Sequence, residues 1–174
     1  LDLQILEIEP LSMYNQDLDE SPPIMWLDFR KKIKDAKGVL FVTPEYNRSV
    51  PGVLKNAIDI ASRPYGKNVL DKKPGAVVSV SIGAIGGFGA NHHLRQSLSY
   101  LNMQMLQQPE AYISDVAKNF NQSGNLINSS TREFLNLYIN SFADLVAKNN
   151  PAPSKADEVK WKKQPEYQNE SPML

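Results

Sequence analysis

Two short runs of aliphatic residues, Val39-Leu40-Phe41-Val42 and Ala76-Val77-Val78 with Val80, do not alternate with polar side chains. A strand with one wet face alternates apolar and polar residues, so a continuous run points to a parallel strand covered by helices on both faces. The segments around these runs have a helical period instead. Ser21-Pro22 opens one, with Trp26, Phe29, Ile33 and Ala36 on its inner stripe and Lys37-Gly38 at its end. A second opens near Ser49 with Pro51 in its first turn, carries Leu54, Ala57, Ile58 and Ala61, and stops at Arg63-Pro64-Tyr65-Gly66. Leu94, Leu98 and Leu101 mark a third. Strand, helix, strand, helix is the order of a doubly wound α/β sheet with right-handed crossovers.

The flanks extend this pattern. Leu1, Leu3, Ile5, Leu6 and Ile8 read as an imperfectly alternating strand, and Met103 to Ile113 as another, interrupted at Pro109 and so placed at an edge or bulge. Ser130 and Glu133 fit a capping box for a last helix with Leu135, Tyr138, Ile139, Phe142 and Val146 on its apolar stripe. Residues 1–150 are expected to form the domain. Residues 151–174 have the proline-rich, charged composition of a polar tail, in which Trp161 and Tyr167 are either ordinary surface aromatics or an arm that reaches a neighbouring subunit.

Composition removes several function classes. Nineteen basic residues balance nineteen acidic ones, so no global field recruits nucleic acid or an anionic membrane. The absence of cysteine excludes disulfides, thiolate metal sites and a cysteine nucleophile. No apolar run approaches the roughly 20 residues of a membrane span, so a soluble, cytoplasmic protein is expected. The adjacent His92 and His93 point about a hundred degrees apart on a helix, which excludes joint ligation of one metal, and no metal site is expected.

In an open α/β sheet, ligands bind outside the carboxyl ends of the strands. The loops leaving Val42 and Val80 therefore lie on the functional edge, and Asp71-Lys72-Lys73-Pro74 on the opposite one. The first edge loop, Thr43 to Pro51, brings an aromatic ring, polar side chains and a helix start to one point, which suits a planar hydrogen-bonding ligand. It is also compatible with an ordinary strand-to-helix turn capped by Ser49 with Tyr46 half-buried. The second, Ser81-Ile82-Gly83-Ala84-Ile85-Gly86-Gly87, has glycines that let backbone amides approach a ligand or that form a tight turn. Without a following Lys and Ser or Thr it is no nucleoside triphosphate loop.

The string Thr-Pro-Glu-Tyr-Asn from Thr43 to Asn47, then Val50-Pro51-Gly52 and Leu54-Lys55-Asn56-Ala57-Ile58-Asp59, resembles the signature of the NADPH-dependent FMN reductases. Gly83-Ala84-Ile85-Gly86-Gly87, His93-Leu94-Arg95-Gln96 and Gln108-Pro109-Glu110 resemble the same family in the same order, so the likeness covers roughly residues 1–147. It implies a flavodoxin-like fold with sheet order 2-1-3-4-5. The family's opening strand and Gly-Ser-x-Arg-x-x-Ser-x-Asn phosphate loop have no counterpart before Leu1, and the chain is expected to begin at the second strand.

The resemblance further implies FMN as cofactor and NADPH or NADH as donor. It assigns Pro44, Glu45, Tyr46 and Asn47 to the ribityl chain and one side of the flavin ring, and Ser81, Gly83, Gly86 and Gly87 to the pyrimidine end. The chemistry is then flavin-centred, with no catalytic side chain expected. NAD(P)H passes a hydride to the ring and a quinone or similar small acceptor later takes the same face, which implies ping-pong kinetics. Homodimers or homotetramers are expected, with Met13-Tyr14 the first segment to consider at a neighbour's pocket. A flavodoxin-like electron carrier without reductase turnover is the alternative, although such carriers tend to be acidic and this chain is neutral.

Overall fold

A computed structural model describes residues 1–151; all but the first residue of the expected tail, with Trp161 and Tyr167, lies outside the described residues. The elements alternate as α1 (Ile24–Asp35), β1 (Val39–Pro44), α2 (Gly52–Ser62), β2 (Pro74–Val80), α3 (Phe88–Tyr100), β3 (Gln104–Met105), β4 (Ala111–Ile113), the short α4 (Val116–Asn119) and α5 (Ser129–Asn149). β1 pairs in parallel with β2 from Val39 opposite Gly75 to Pro44 opposite Val80. On its other side β2 pairs in parallel with β3 at Pro74 and Gly75 and with β4 from Val78 to Val80. The order across the sheet is β1, then β2, then β3 and β4 in line on the far side of β2, all parallel.

Strand periodicity divides the core. Phe41 and Val77 face α1, α2 and α3, where they meet Trp26, Phe29, Ile33, Ile58, Ile60 and Leu94. Ala76 and Val78 face the other way, onto Tyr138, Phe142 and Val146 of α5. Full burial of each large aliphatic or aromatic side chain contributes about 1.5–3 kcal/mol, so these two layers carry most of the stability.

Several expectations need correction. Leu1 to Ile8 form no strand, because a strand requires a ladder partner and these residues find none among the described ones. Leu6 and Ile8 instead pack on the α1–α3 layer beside buried Leu11. β1 is fully covered on one face only: Phe41 and Thr43 are buried, whereas on the other face Leu40 packs against the α5 layer and Val42, further along, is 61% exposed. The cap of α5 is Asn128, whose Oδ1 accepts the Thr131 N–H at 3.0 Å, and Ser130 and Glu133 lie within the helix. Pro51 takes the N-cap position of α2 without a side-chain cap, so Ser49 does not fill that role.

The interruption at Pro109 falls between β3 and β4, and it leaves Val77 without a strand partner on that side. The Tyr138 hydroxyl fills the gap. It donates to the Val77 carbonyl at 2.8 Å and accepts from the Val77 N–H at 2.8 Å, while Asn91 Nδ2 adds a longer 3.4 Å bond to the same carbonyl. A side chain from α5 thereby completes the central strand, in keeping with the near-universal pairing of buried backbone groups.

Candidate functional site

β1 ends at Pro44 and the chain turns back on itself at once. Tyr46 and Ser49 exchange backbone hydrogen bonds of 2.8 and 2.9 Å across Asn47 and Arg48, whose φ angles are 50° and 62°. Positive φ at both central residues defines a type I′ turn, for which asparagine is well suited. The turn holds the Tyr46 ring outward, 60% exposed, and leaves Asn47 exposed at its tip. Glu45 points the opposite way. Its Oε2 accepts the Ala90 N–H of α3 at 3.0 Å and its Oε1 accepts from Arg48 at 3.0 Å.

β2 leads into the second loop. Ser81 Oγ accepts the Gly83 N–H at 3.1 Å, and the Ser81 N–H donates to Ile113 of β4 at 2.9 Å. Gly86 and Gly87 both have positive φ, 60° and 76°, and both are buried. A Cβ on Gly86 would lie 2.7 Å from the Tyr112 backbone. The glycine there serves the protein's own packing, and Ser79, by donating to the Gly86 carbonyl at 2.8 Å, fixes the bend. Asn91 reinforces it with an Nδ2 bond of 3.2 Å to Ser79 Oγ. The loop's outer half is different: Ile82 is 81% exposed, Ile85 is exposed, and a Cβ on Gly83 would meet only Ser81 Oγ, at 3.6 Å. Among the described residues the N–H groups of Ile82, Ala84 and Ile85 have no acceptor.

The two loops are joined at the start of α3. Besides the Glu45 to Ala90 bond, Ser49 Oγ and His93 Nδ1 lie 2.7 Å apart. His92 belongs to a separate group, with Nε2 2.9 Å from the Tyr112 hydroxyl and its ring 4.2 Å from that of Phe88. The two histidines thus serve different partners, and no cluster of three or more metal-ligating side chains occurs among the described residues. The Tyr112 hydroxyl donates to Glu110 at 2.6 Å. Burial, followed by this bond, pushes the phenol from 10.0 up to about 12.

The eight residues singled out from the sequence therefore occupy one edge, but in different ways. Tyr46, Asn47, Pro44 and the outer Ser81 and Gly83 face solvent or the loop surface, whereas the Glu45 carboxylate, Gly86 and Gly87 are engaged with the protein. The exposed apolar Ile82, Ile85 and Phe88 were not anticipated, because an aliphatic residue in a glycine-rich loop gives no sign of its direction. Tyr14 is held within its own chain by Asn56, Asp19 and Arg63, which leaves Met13 as the outward member of that pair. An open groove of about 370 Å³ lies elsewhere, among Tyr112, Asp115, Lys118, Asn128 and Phe134, and none of the edge-loop residues lines it. No described helix is long and apolar enough to cross a membrane.

A parallel α/β sheet with an exposed aromatic, apolar side chains and unpaired N–H groups gathered at its carboxyl edge is the architecture of a flavodoxin-like nucleotide-binding protein. The family model for NADPH-dependent FMN reductases matches residues 1–118. A quinone reductase of Pseudomonas putida is 56% identical over 150 residues, covering 86% of this chain and 80% of the relative. A 2-hydroxy-1,4-benzoquinone reductase of a Burkholderia species is 44% identical over 138 residues, covering 79% of this chain and 75% of the relative. The structure of FerB, a flavoenzyme NAD(P)H:(acceptor) oxidoreductase of Paracoccus denitrificans, superposes with a TM-score of 0.79 at 38% identity, covering 85% of this chain and 81% of FerB. The chain belongs to the NADPH-dependent FMN reductase family. It is an oxidoreductase of the class that takes FMN as cofactor and NAD(P)H as electron donor.

The edge fits the ring portion of that cofactor. A flavin has a large apolar face and a polar rim of carbonyl and imine groups. Tyr46, Ile82 and Ile85 offer exposed surface to the face, and the N–H groups of Ile82, Ala84 and Ile85 are donors without acceptors.

Proposed function

We propose that FMN lies between the loop from Pro44 to Arg48 and the loop from Ser81 to Gly87, and that the protein carries reducing equivalents from NAD(P)H to quinones or similar small acceptors. The observation that carries this reading is the pairing, on one edge, of exposed apolar side chains with unpaired backbone donors. When bound, FMN supplies reversible two-electron chemistry, accepting a hydride from the nicotinamide and giving the electrons to the acceptor. Everything else falls to the chain. Tyr46 walls one side of the ring, and Asn47 offers its amide to the polar rim. The N–H groups of Ile82, Ala84 and Ile85 would hold the pyrimidine end of the ring, and their fixed dipoles would favour negative charge there. Ser81 holds that loop open through its bond to Gly83.

One open ring face is left to donor and acceptor in turn. The relatives named for quinone reduction support a small aromatic acceptor. Association into homodimers or homotetramers, with the NADPH-supplied cytoplasm as the setting, belongs to the same reading, and the exposed Met13 is the first residue to consider at a neighbour's pocket. Initial rates of the FMN-loaded protein, with NAD(P)H and a quinone varied together, test the reading. Parallel double-reciprocal lines are expected. Intersecting lines contradict the shared face, and absence of turnover contradicts the reductase and favours an electron carrier.

A further inference from the structure

We infer that Glu45 is a positioning residue, which ties the two flavin-binding loops together by capping α3 from the neighbouring loop; this rests on the FMN reading above. The first turn of α3 has no cap of its own, because the N-cap residue is Gly87 and offers no side chain. Helix N-terminal N–H groups need an acceptor and favour a negative one. Glu45 supplies it from a residue 45 positions earlier, through the 3.0 Å bond to the Ala90 N–H. The carboxylate is only 10% exposed, and its second oxygen is held by Arg48.

The fit around this joint is close. A Cβ on Gly89 would lie 3.0 Å from Glu45 Oε2 and 3.0 Å from the Arg48 carbonyl, so glycine is what allows the loop to seat on the helix. One turn further along α3, Ser49 and His93 close a second contact. With its carboxylate turned inward and both oxygens engaged, Glu45 presents little of that group to a cofactor, and a negative charge there is already matched by the helix end and Arg48. Its effect on FMN runs through geometry. It sets the separation between the Tyr46 side of the pocket and the unpaired N–H groups at Ile82, Ala84 and Ile85. A ligand that must touch both loops at once binds best when that separation is fixed beforehand.

The test is FMN titration of the full chain by flavin fluorescence quenching, with the visible spectrum of bound FMN and the apo melting temperature recorded for each variant. Glu45→Ala should raise the FMN Kd about tenfold or more and change the bound spectrum, while Glu45→Gln, which keeps an acceptor for Ala90, should stay within about threefold of wild type. Gly89→Ala, which keeps the Glu45 carboxylate but pushes it and the Arg48 carbonyl away from α3, should reproduce the Glu45→Ala spectrum and weaken binding in the same direction. All titrations are run at a temperature where every apo form is folded. A wild-type Kd and spectrum for Glu45→Ala or for Gly89→Ala overturns the inference, as does a Glu45→Gln variant as defective as Glu45→Ala. Failure of the wild-type chain to bind FMN overturns the cofactor reading itself, whereas wild-type binding with unaffected variants overturns only the role given to Glu45.

Discussion

Replacing Tyr138 with Phe removes one oxygen and almost no volume, yet it strikes the point where α5 completes the sheet. In the native protein that oxygen serves both the N–H and the carbonyl of Val77, each at 2.8 Å, in a site with no solvent access. Without it the Val77 N–H has no partner, and leaving a buried donor unsatisfied costs about 1–3 kcal/mol. The carbonyl keeps the longer bond from Asn91, so its share is smaller, at about 0.5–1 kcal/mol. The sum is about 1.5–4 kcal/mol, and for a chain of this size it corresponds to a fall in Tm of about 3–16 °C. Urea unfolding should show a lower midpoint with an unchanged slope, because the surface exposed on unfolding is the same. The phenol's own ionisation is held above its ordinary value, chiefly by burial, so the loss should be level across neutral pH. A Tyr138→Phe variant that melts within about 1 °C of wild type would refute the claim that this hydroxyl stands in for a missing strand.

Three further outcomes follow from the loops. Gly86→Ala, with a positive φ and a Cβ 2.7 Å from the Tyr112 backbone, should fold poorly or not at all, while Gly83→Ala should hold its stability within about 0.5 kcal/mol by urea unfolding. Asn47→Ala should raise the FMN Kd about five- to a hundredfold and also lower the apo Tm, whereas Asn47→Gly, which suits φ 50°, should weaken FMN binding with the apo Tm preserved. Equal FMN affinity in both variants and wild type would make Asn47 a turn residue only. Because Tyr112 is raised from 10.0 to about 12, its contribution to stability is complete below pH 10 and is lost as the pH climbs through 12. Tyrosinate absorbance of the folded protein should show a late ionisation step that is missing in Tyr112→Phe.

The parts of the fold that were legible in the sequence were those set by periodicity. The continuous run at Ala76 to Val78 is buried on both faces and the stripes of α1, α2 and α3 face the core, because burial and residue type are coupled locally there. Leu1 to Ile8 failed the same reading since pairing depends on a distant partner that no local pattern encodes. Val42 failed because the reach of α5 across the sheet is a tertiary fact. At the edge, the Thr43–Asn47 string located the loop, but it did not show that Glu45 turns inward to α3 while Tyr46 turns outward. That division comes from the I′ turn at Asn47 and Arg48, and arginine at a positive φ is not a signal that sequence reading can use. Likewise the scaffold of Ser79 and Asn91 beneath the glycine loop is polar, buried and non-local, and such networks leave no periodic trace.

Amide hydrogen exchange of the full chain with and without FMN tests the central claim most directly, because it reads where the cofactor sits. The account predicts slowed exchange concentrated in residues 44–49 and 81–90, including the unpaired amides of Ile82, Ala84 and Ile85, with little change at the Asp71–Pro74 edge or along the groove beside α4. Saturating FMN that leaves both loops exchanging as in the free protein, or that protects the α4 groove instead, would contradict it.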